Sequence, residues 1–115
     1  MVSKSANYCF ASRSNPTGLL MLCQVALGNI NEKMQADYNA DKLPQGKHST
    51  KGVGRTHPDP SETATLENGI LVPLGKAMPS NRPDARSLEY NEYIVYNINQ
   101  IRIRFLLKVH FDFGR

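Results

Sequence analysis

The apolar run GLLMLCQVAL, residues 18–27, constrains the fold of this chain more than any other segment. It is bounded by Gly18 and Gly28, and its apolar residues are nearly continuous. A run of this length and composition predicts a central strand that is buried on both faces, with a buried helix as the weaker alternative. Either element needs others to cover it, and 115 residues are enough for one compact domain with a modest core.

One short helix is predicted near the N-terminal end. Residues 3–11, SKSANYCFA, begin with a serine cap and end before SRSNP. The polar segment at 31–43, NEKMQADYNADKL, is typical of a surface helix or an irregular crossover. Residues 44–61, PQGKHSTKGVGRTHPDPS, contain repeated glycines and prolines, which predict a loop.

Three further strands are predicted in the C-terminal half of the chain. GILVPLG, residues 69–75, contains a proline that favours an edge position. The segments at 88–97 and 101–113 follow, and residues 97–100 are few enough for a tight antiparallel connection between these two strands. The predicted fold class is therefore a strand-rich α+β domain with antiparallel sheets and a short N-terminal helix.

The predicted strand LEYNEYIVYN, residues 88–97, places one carboxylate among aromatic side chains. Alternation puts Glu92 on the same face as three other side chains, those of Tyr90, Ile94 and Tyr96. Such a glutamate is costly to bury unless it is paired, hydrogen-bonded or lines a wet cleft. Pattern alone favours a half-exposed strand whose glutamate meets a Lys or Arg on the neighbouring strand, because most perturbed carboxylates are structural.

Three side chains of the predicted helix form a second candidate site. Ser5 and Tyr8 are three residues apart, and Lys4 and Tyr8 are four apart, so all three can face one cleft. A hydroxyl, an ammonium group and an aromatic face suit a flat polar ligand that carries an amide and anionic groups. A capping serine, a core tyrosine and a solvated lysine explain the same spacing.

The basic, glycine-rich stretch GKHSTKGVGRT lies inside the predicted loop 44–61. The spacing of a phosphate-binding loop is absent, and no strand-to-helix junction follows it. A mobile surface loop is expected, with phosphate or nucleic-acid contact as the alternative. The net charge of +4 is compatible with both interpretations of this stretch and does not distinguish them.

Cysteine and histidine positions predict neither a disulfide nor a metal site. Cys9 and Cys23 are 14 residues apart in apolar or helical contexts, which is typical of free buried thiols in a reducing compartment. The histidines, His48, His57 and His110, do not converge with them in sequence. No run approaches the length of a membrane span, and MVSKSANYCF lacks the apolar core of a signal peptide. An intracellular soluble protein is expected.

Several segments taken together resemble one family. In chain order they are VSKSANYCF, VALGNI, LPQGKHSTKGVGRT, VPLGK and YNEYIVYN. They resemble the second half of the catalytic domain of the poly(ADP-ribose) polymerases. The likeness is best to the nuclear members that respond to DNA strand breaks, in particular the smaller one without zinc fingers. The resemblance implies an ADP-ribosyltransferase fold, NAD as the donor substrate, no tightly bound cofactor, protein acceptors and growing ADP-ribose chains as partners, and a nuclear location.

The resemblance also implies roles for individual residues. Glu92 matches the family's catalytic glutamate, which stabilises the oxocarbenium-like state formed as nicotinamide leaves and polarises the acceptor hydroxyl. Tyr8 matches the tyrosine that stacks on the nicotinamide ring, and Ser5 matches the serine that bonds its carboxamide. Lys4 matches a lysine that lines the same pocket near the reacting ribose.

The chain departs from the family pattern at several positions. Gln24 stands where relatives usually carry glutamate, and Glu89, beside Tyr90, adds negative charge on the acceptor side of the catalytic glutamate. The family's H-G-[ST] and G-x-Y-F-A-D motifs precede the matched region, and Met1 takes the place of the methionine that follows the second motif. Residues 1–115 are therefore expected to be a partial catalytic domain without its N-terminal strands, its regulatory helical subdomain or its DNA-binding regions.

Such a partial domain is expected to be inactive when expressed by itself. The alternative function is that of a catalytically dead remnant that binds partners or regulates an intact relative. A basic nucleic-acid-binding module, prompted by residues 46–56, is a third and weaker interpretation.

Overall fold

The computed structural model describes residues 2–114. Met1, which the resemblance aligns with an internal methionine of the family, lies outside the described residues. The chain forms two compact units, a terminal unit (Met1–Val25 with Ile101–Arg115) and a central unit (Ala26–Gln100). The described strands are β1 (Thr17–Val25), β2 (Ile30–Lys33), β3 (Ser49–Gly52), β4 (Gly54–Pro58), β5 (Thr63–Thr65), β6 (Leu71–Pro73), β7 (Ala77–Pro79), β8 (Leu88–Tyr90), β9 (Glu92–Val95) and β10 (Ile101–His110). The prediction of a strand-rich α+β fold is confirmed.

The N-terminal helix is shorter than the predicted span of 3–11. It comprises α1 (Val2–Ala6) and continues as a 3₁₀ turn over Asn7–Cys9. Ser3 therefore lies inside the first turn and does not cap it from outside. Phe10 adopts a left-handed conformation with φ of 50°, which ends the helical segment as left-handed residues commonly do.

β1 pairs antiparallel with β10 from Thr17 opposite His110 to Val25 opposite Ile101, with an irregularity after Leu22. The strand prediction for this apolar run is confirmed, and the helix alternative is wrong. Burial on both faces is also wrong, since Leu22 is 55% exposed. The reason is that, among the described strands, β10 alone pairs with β1, so this sheet has only two strands.

The start of β1 packs closely on the helical segment of the same unit. A Cβ on Gly18 would lie 2.7 Å from the Cβ of Cys9, so the absent side chain of Gly18 allows this contact. The thiol of Cys9 points toward the Leu19 carbonyl, with an Sγ···O distance of 3.4 Å. Cys9 and Cys23 are both free, as predicted, but both are only partly buried.

The central unit contains two three-stranded sheets and a two-stranded hairpin. The strand orders are β2-β3-β9, β7-β4-β8 and β5-β6. β6 is an edge strand that ends at Pro73, as the proline predicts. The segment after β2 contains bends and turns at 34–42, so the irregular crossover is confirmed and the surface helix is wrong.

The predicted loop at 44–61 is wrong, because it contains β3 and β4. Three of the most buried residues in the described part of the chain lie here, with Ser49 at 0%, Thr50 at 3% and Val53 at 3% exposure. Small residues let neighbouring strands approach closely, and a composition that is typical of loops therefore forms the core of this unit.

The predicted strand at 88–97 is interrupted at Asn91. β8 joins the sheet of β4, whereas β9 joins the sheet of β3. The predicted tight antiparallel connection at 97–100 is wrong, because a 3₁₀ turn at Ile98–Gln100 follows β9 and β10 pairs with β1 instead. The predicted final strand over 101–113 ends at His110.

Candidate functional site

Glu92 is the first residue of β9 and lies opposite Gly52 of β3 in their antiparallel pairing. A Cβ built on Gly52 would lie 2.6 Å from Cδ1 of Leu88 and 3.9 Å from Oε2 of Glu92. The absent side chain of Gly52 therefore gives Leu88 the space that it occupies, whereas the Glu92 carboxylate would remain in ordinary contact.

A cavity of about 410 Å³ lies beside the Glu92 carboxylate within the central unit. Its walls include Thr50 and Gly52 from β3, Glu92 and Ile94 from β9, and residues 35–38 from the crossover after β2. Its volume falls in the range of small-molecule sites in proteins. Glu92 and Ile94 share this cavity, as alternation along the strand predicts.

The opposite face of β9 borders a different cavity, of about 440 Å³. Tyr93 and Asn91 line it together with Lys51, which lies opposite Tyr93 in the strand pairing. The two faces of β9 thus have separate surroundings, one around the Glu92 carboxylate and one around the Tyr93 ring.

Hydrogen bonds connect Tyr96 to Thr50 and Ala40, two residues that line the Glu92 cavity. The Tyr96 hydroxyl donates to Oγ1 of Thr50 at 2.8 Å, and Thr50 in turn donates to the Ala40 carbonyl at 3.4 Å. These contacts join the residue that follows β9 to β3 and to the crossover after β2. Sequence reasoning missed Thr50 because it lies in the stretch predicted as a loop, where no apolar alternation marks it.

Glu89, predicted as an acceptor-side neighbour, is held by two side chains of β4. Its carboxylate accepts hydrogen bonds from Nη2 of Arg55 at 2.6 Å and from Oγ1 of Thr56 at 3.1 Å. The guanidinium therefore offsets the negative charge that Glu89 adds. Tyr90, the other predicted neighbour, lies opposite Thr56 in the parallel pairing of β8 with β4.

Lys4, Ser5 and Tyr8 lie together on the helical segment of the terminal unit, whereas Glu92 belongs to the central unit. Lys4 and Ser5 are on α1, and Tyr8 is in the 3₁₀ turn that follows it. Tyr8 is 67% exposed, so it is not a core residue of this unit. Ser5 is also exposed, and Lys4 is partly buried.

An ion-pair network lies where β2 meets β3 in the central unit. Glu32 bonds Nζ of Lys51 at 3.1 Å and Nη1 of Arg82 at 3.4 Å, and Arg82 also bonds Asp84 at 3.2 Å. The hydrogen bond from Lys51 is the main reason that the pKa of Glu32 is lowered. Asp84 likewise has a lowered pKa, chiefly because of the hydrogen bond from Arg82.

The basic stretch at 46–56 has its cations engaged within the chain. Nζ of Lys47 donates to the Ile30 carbonyl at 2.7 Å, Lys51 pairs with Glu32, and Arg55 pairs with Glu89. The two ion pairs compensate the positive charges of Lys51 and Arg55, which helped to prompt the nucleic-acid interpretation. They also hold the stretch in place, which does not agree with a mobile surface loop.

Two kinds of feature are absent from residues 2–114. No helix in this range is long and apolar enough to cross a membrane. No group of three or more His, Cys, Asp or Glu side chains in the same range is arranged to hold a metal ion.

Comparison with known proteins decides the family. A family model described as the poly(ADP-ribose) polymerase catalytic domain matches residues 1–111. The chain belongs to the poly(ADP-ribose) polymerase family. The family resemblance of the sequence motifs is thereby confirmed.

Members of the poly(ADP-ribose) polymerase family from plants and animals are similar to the whole of this chain. Poly [ADP-ribose] polymerase 2 of Arabidopsis thaliana is 56% identical over 98% of the chain, and the human polymerase 2 is 57% identical over 98%. Poly [ADP-ribose] polymerase 1 of Danio rerio is 53% identical over 98%. The chain spans only 18%, 20% and 11% of the lengths of these three polymerases.

Proposed function

We propose that this chain forms part of the catalytic domain of an NAD-dependent protein poly-ADP-ribosyltransferase. In this reaction the bond between the ribose carbon and the nicotinamide nitrogen breaks, and nicotinamide leaves with the bonding electrons. An acceptor atom on a protein side chain or a growing ADP-ribose chain attacks the ribose carbon and loses its proton. NAD is consumed as a substrate, and no tightly bound cofactor takes part.

The observation that carries the proposal is the Glu92 carboxylate beside a cavity of ligand size in a chain of this family. Positive charge develops on the ribose as nicotinamide leaves, and a carboxylate held nearby stabilises it. The same carboxylate accepts a hydrogen bond from a ribose hydroxyl and polarises the acceptor hydroxyl. Glu89 and Tyr90 lie three and two residues before Glu92, and we assign them to the acceptor side.

The helical segment of the terminal unit supplies groups for the nicotinamide end of NAD. We assign ring stacking to Tyr8, a hydrogen bond with the carboxamide to Ser5, and a position near the ribose to Lys4. The exposure of Ser5 and Tyr8 supports these roles, because both side chains are accessible to a ligand. Each role follows from the family motif SKSANY, which this chain contains in full.

Binding without catalysis is the second candidate function. The apolar side chains that β1 and β10 expose, among them Met21 at 64% and Phe105 at 61%, favour it. In that case the chain binds a protein partner or regulates an intact relative. Both proposals include a nuclear location. We assign DNA binding to regions of the longer polymerases that lie outside the part matched by this chain.

The test is polymer synthesis by a chimaera in which the preceding catalytic-domain segment of the Arabidopsis polymerase 2 is joined to residue 1. Glu92→Gln keeps the shape of the side chain and removes its charge, so we expect NAD binding to persist and polymer to fall by orders of magnitude. Glu67→Gln, in the exposed turn after β5, is the matched control and should have no effect. Near-normal polymer from Glu92→Gln would reject the catalytic proposal.

Residual mono-ADP-ribosylation or NAD hydrolysis by Glu92→Gln is compatible with the proposal, because chain growth also depends on activation of the acceptor. Binding without catalysis predicts a different result. The wild-type chimaera then makes no polymer, while the 115-residue chain still captures an intact polymerase.

A further inference from the structure

Asn91 lies between two strands that belong to different sheets. β8 runs parallel to β4, with Leu88 opposite Gly54, whereas β9 runs antiparallel to β3, with Glu92 opposite Gly52. The chain therefore changes its partner strand, and its orientation relative to that partner, across a single residue. Such a change leaves backbone groups without a ladder partner unless a side chain supplies one.

The side chain of Asn91 supplies a partner at this point. Its Oδ1 accepts a hydrogen bond from the backbone N–H of Gly54, with an N···O distance of 2.9 Å. Gly54 is buried, so removal of the acceptor would leave this N–H poorly solvated. A second contact reinforces the first, because a Cβ on Gly54 would collide with the backbone of Tyr90 and Asn91. The peptide between these residues thus packs directly on Gly54.

We propose that Asn91 is a positioning residue for Glu92, an inference that rests on the catalytic role proposed above. The hydrogen bond to Gly54 anchors the backbone at the residue immediately before Glu92, where β9 begins. Asn91 borders the cavity on the Tyr93 face of β9 and not the cavity beside the Glu92 carboxylate. It therefore acts through the backbone and without touching the substrate.

The precision that catalysis requires makes such an anchor useful. A carboxylate stabilises a short-lived cation only from a narrow range of positions, and a misplacement of about 1 Å costs on the order of 10²-fold in rate. Glu92 begins a strand of only four residues, so the strand pairing offers little support on its N-terminal side. The Asn91 side chain provides that support from β4.

The test compares Asn91→Ala, Asn91→Asp and Asn97→Ala in the full 115-residue chain, alone and within the chimaera. Asn91→Asp retains an oxygen acceptor for the Gly54 N–H. Asn97 is the matched control, because its Oδ1 also accepts from a backbone N–H, that of Asn99 at 2.9 Å, in an exposed turn. The readouts are kcat and KM for NAD in the chimaera, and amide hydrogen exchange at Gly54 in both forms.

We expect Asn91→Ala to lower kcat about 10- to 100-fold, with KM for NAD changed by less than about 3-fold, and to speed exchange at Gly54. Asn91→Asp should restore both values to near those of the wild type, and Asn97→Ala should change neither. A general loss of folding would instead lower the fraction of active enzyme, speed exchange at many amides and not be rescued by Asp.

Three results would overturn the inference, and they differ from one another. If Asn91→Ala keeps its kcat while Glu92→Gln loses activity, Asn91 does not position Glu92 and the catalytic proposal stands. If Glu92→Gln remains fully active, the catalytic proposal fails and the positioning role fails with it. Equal losses of kcat in Asn91→Ala and Asn91→Asp, at equal melting temperatures, would also contradict the role of the hydrogen bond.

Discussion

The carboxylate of Glu92 and the backbone of Gly52 face each other across two antiparallel strands, and Leu88 occupies the space that a Gly52 side chain would need. Gly52→Ala should therefore destabilise the chain by about 1 kcal/mol through overpacking, at the low end of such effects, because only the end of the Leu88 side chain must move. In the chimaera it should also lower kcat, because any shift of β9 moves Glu92. Chemical denaturation and steady-state kinetics on the same variant measure both effects.

A double variant separates steric overlap from other causes. Leu88→Ala removes the side chain whose Cδ1 lies 2.6 Å from the added Cβ, so Gly52→Ala should cost less in a Leu88→Ala background. If the losses of unfolding free energy in the two single variants simply add in the double variant, the contact with Leu88 is not the reason that residue 52 is glycine.

Truncation of Tyr8 tests whether its exposed ring binds the nicotinamide end of the ligand. If the ring stacks on nicotinamide, Tyr8→Ala in the chimaera should weaken binding of a benzamide-type mimic by about 1–3 kcal/mol, with a small change in melting temperature. Phe10→Ala, which removes an aromatic side chain that is 84% exposed, is the control and should leave affinity unchanged. A large melting loss with unchanged affinity would reject the proposed role of Tyr8.

The 115-residue chain by itself should not modify proteins when incubated with labelled NAD. It contains Glu92 and Tyr8 but not the H-G-[ST] and G-x-Y-F-A-D motifs with which the family fixes adenosine and completes the nicotinamide pocket. Positioning accounts for about 7–11 kcal/mol of a barrier, so a carboxylate without an oriented substrate should do little. Robust incorporation that depends on Glu92 would contradict this expectation.

The exposed apolar strands of the terminal unit should limit the solubility of the isolated chain. Exposed strand edges with apolar side chains invite association with other chains. Met21→Lys, on a residue that is 64% exposed, should therefore reduce light scattering at a given protein concentration. Glu67→Gln, in an exposed turn, changes the net charge by the same amount and is the control. Equal scattering by wild type and Met21→Lys would show that the exposed side chain of Met21 does not cause the association.

Stability should fall in acid partly because of Glu32. Its pKa lies below the ordinary value of 4.5 in the folded chain, mainly because Lys51 donates a hydrogen bond to it. A carboxyl group with a lowered folded pKa contributes stability above its unfolded pKa and loses that contribution as the pH falls through its folded pKa. Glu32→Gln should therefore be less stable than wild type near neutral pH, and the difference should shrink below pH 4.5.

The expected size of this effect is within about 1 kcal/mol, because the side chains of the network are partly exposed and water screens them. Unfolding free energies of wild type, Glu32→Gln and the control Glu67→Gln over an acidic pH series measure it. A difference between wild type and Glu32→Gln that stays constant with pH would show that ionisation of Glu32 is not involved.

Sequence reasoning succeeded where a strand carries its own signal. The apolar run before Gly28 and the final strand from Ile101 were predicted because apolar and β-branched residues mark them along the chain. The odd carboxylate in LEYNEYIVYN likewise drew attention to Glu92, and its face of the strand was predicted from alternation. These signals are local, so they need no knowledge of distant partners.

The parts that were missed depend on contacts between distant segments. β3 and β4 contain Ser49, Thr50, Gly52 and Gly54, which by composition indicate a loop, yet their burial comes from β2, β8 and β9. The hydrogen bond from Gly54 to Asn91 spans 37 residues, and no pattern within either segment reveals it. The break between β8 and β9 also depends on distant contacts. It occurs because the two strands pair with different partners, β4 and β3, and the residues around Asn91 do not reveal this.

The pairing of β1 with β10 also has a consequence for synthesis of the chain. Val25 of β1 pairs with Ile101, so about 75 residues must be translated after Val25 before the ladder of the first strand can begin to form. At about 5–20 residues per second, the apolar strand waits about 4–15 s beyond the ribosome without its partner. β1 therefore offers an extended apolar segment to chaperones during this interval, and the terminal unit must fold after synthesis of the central unit is complete.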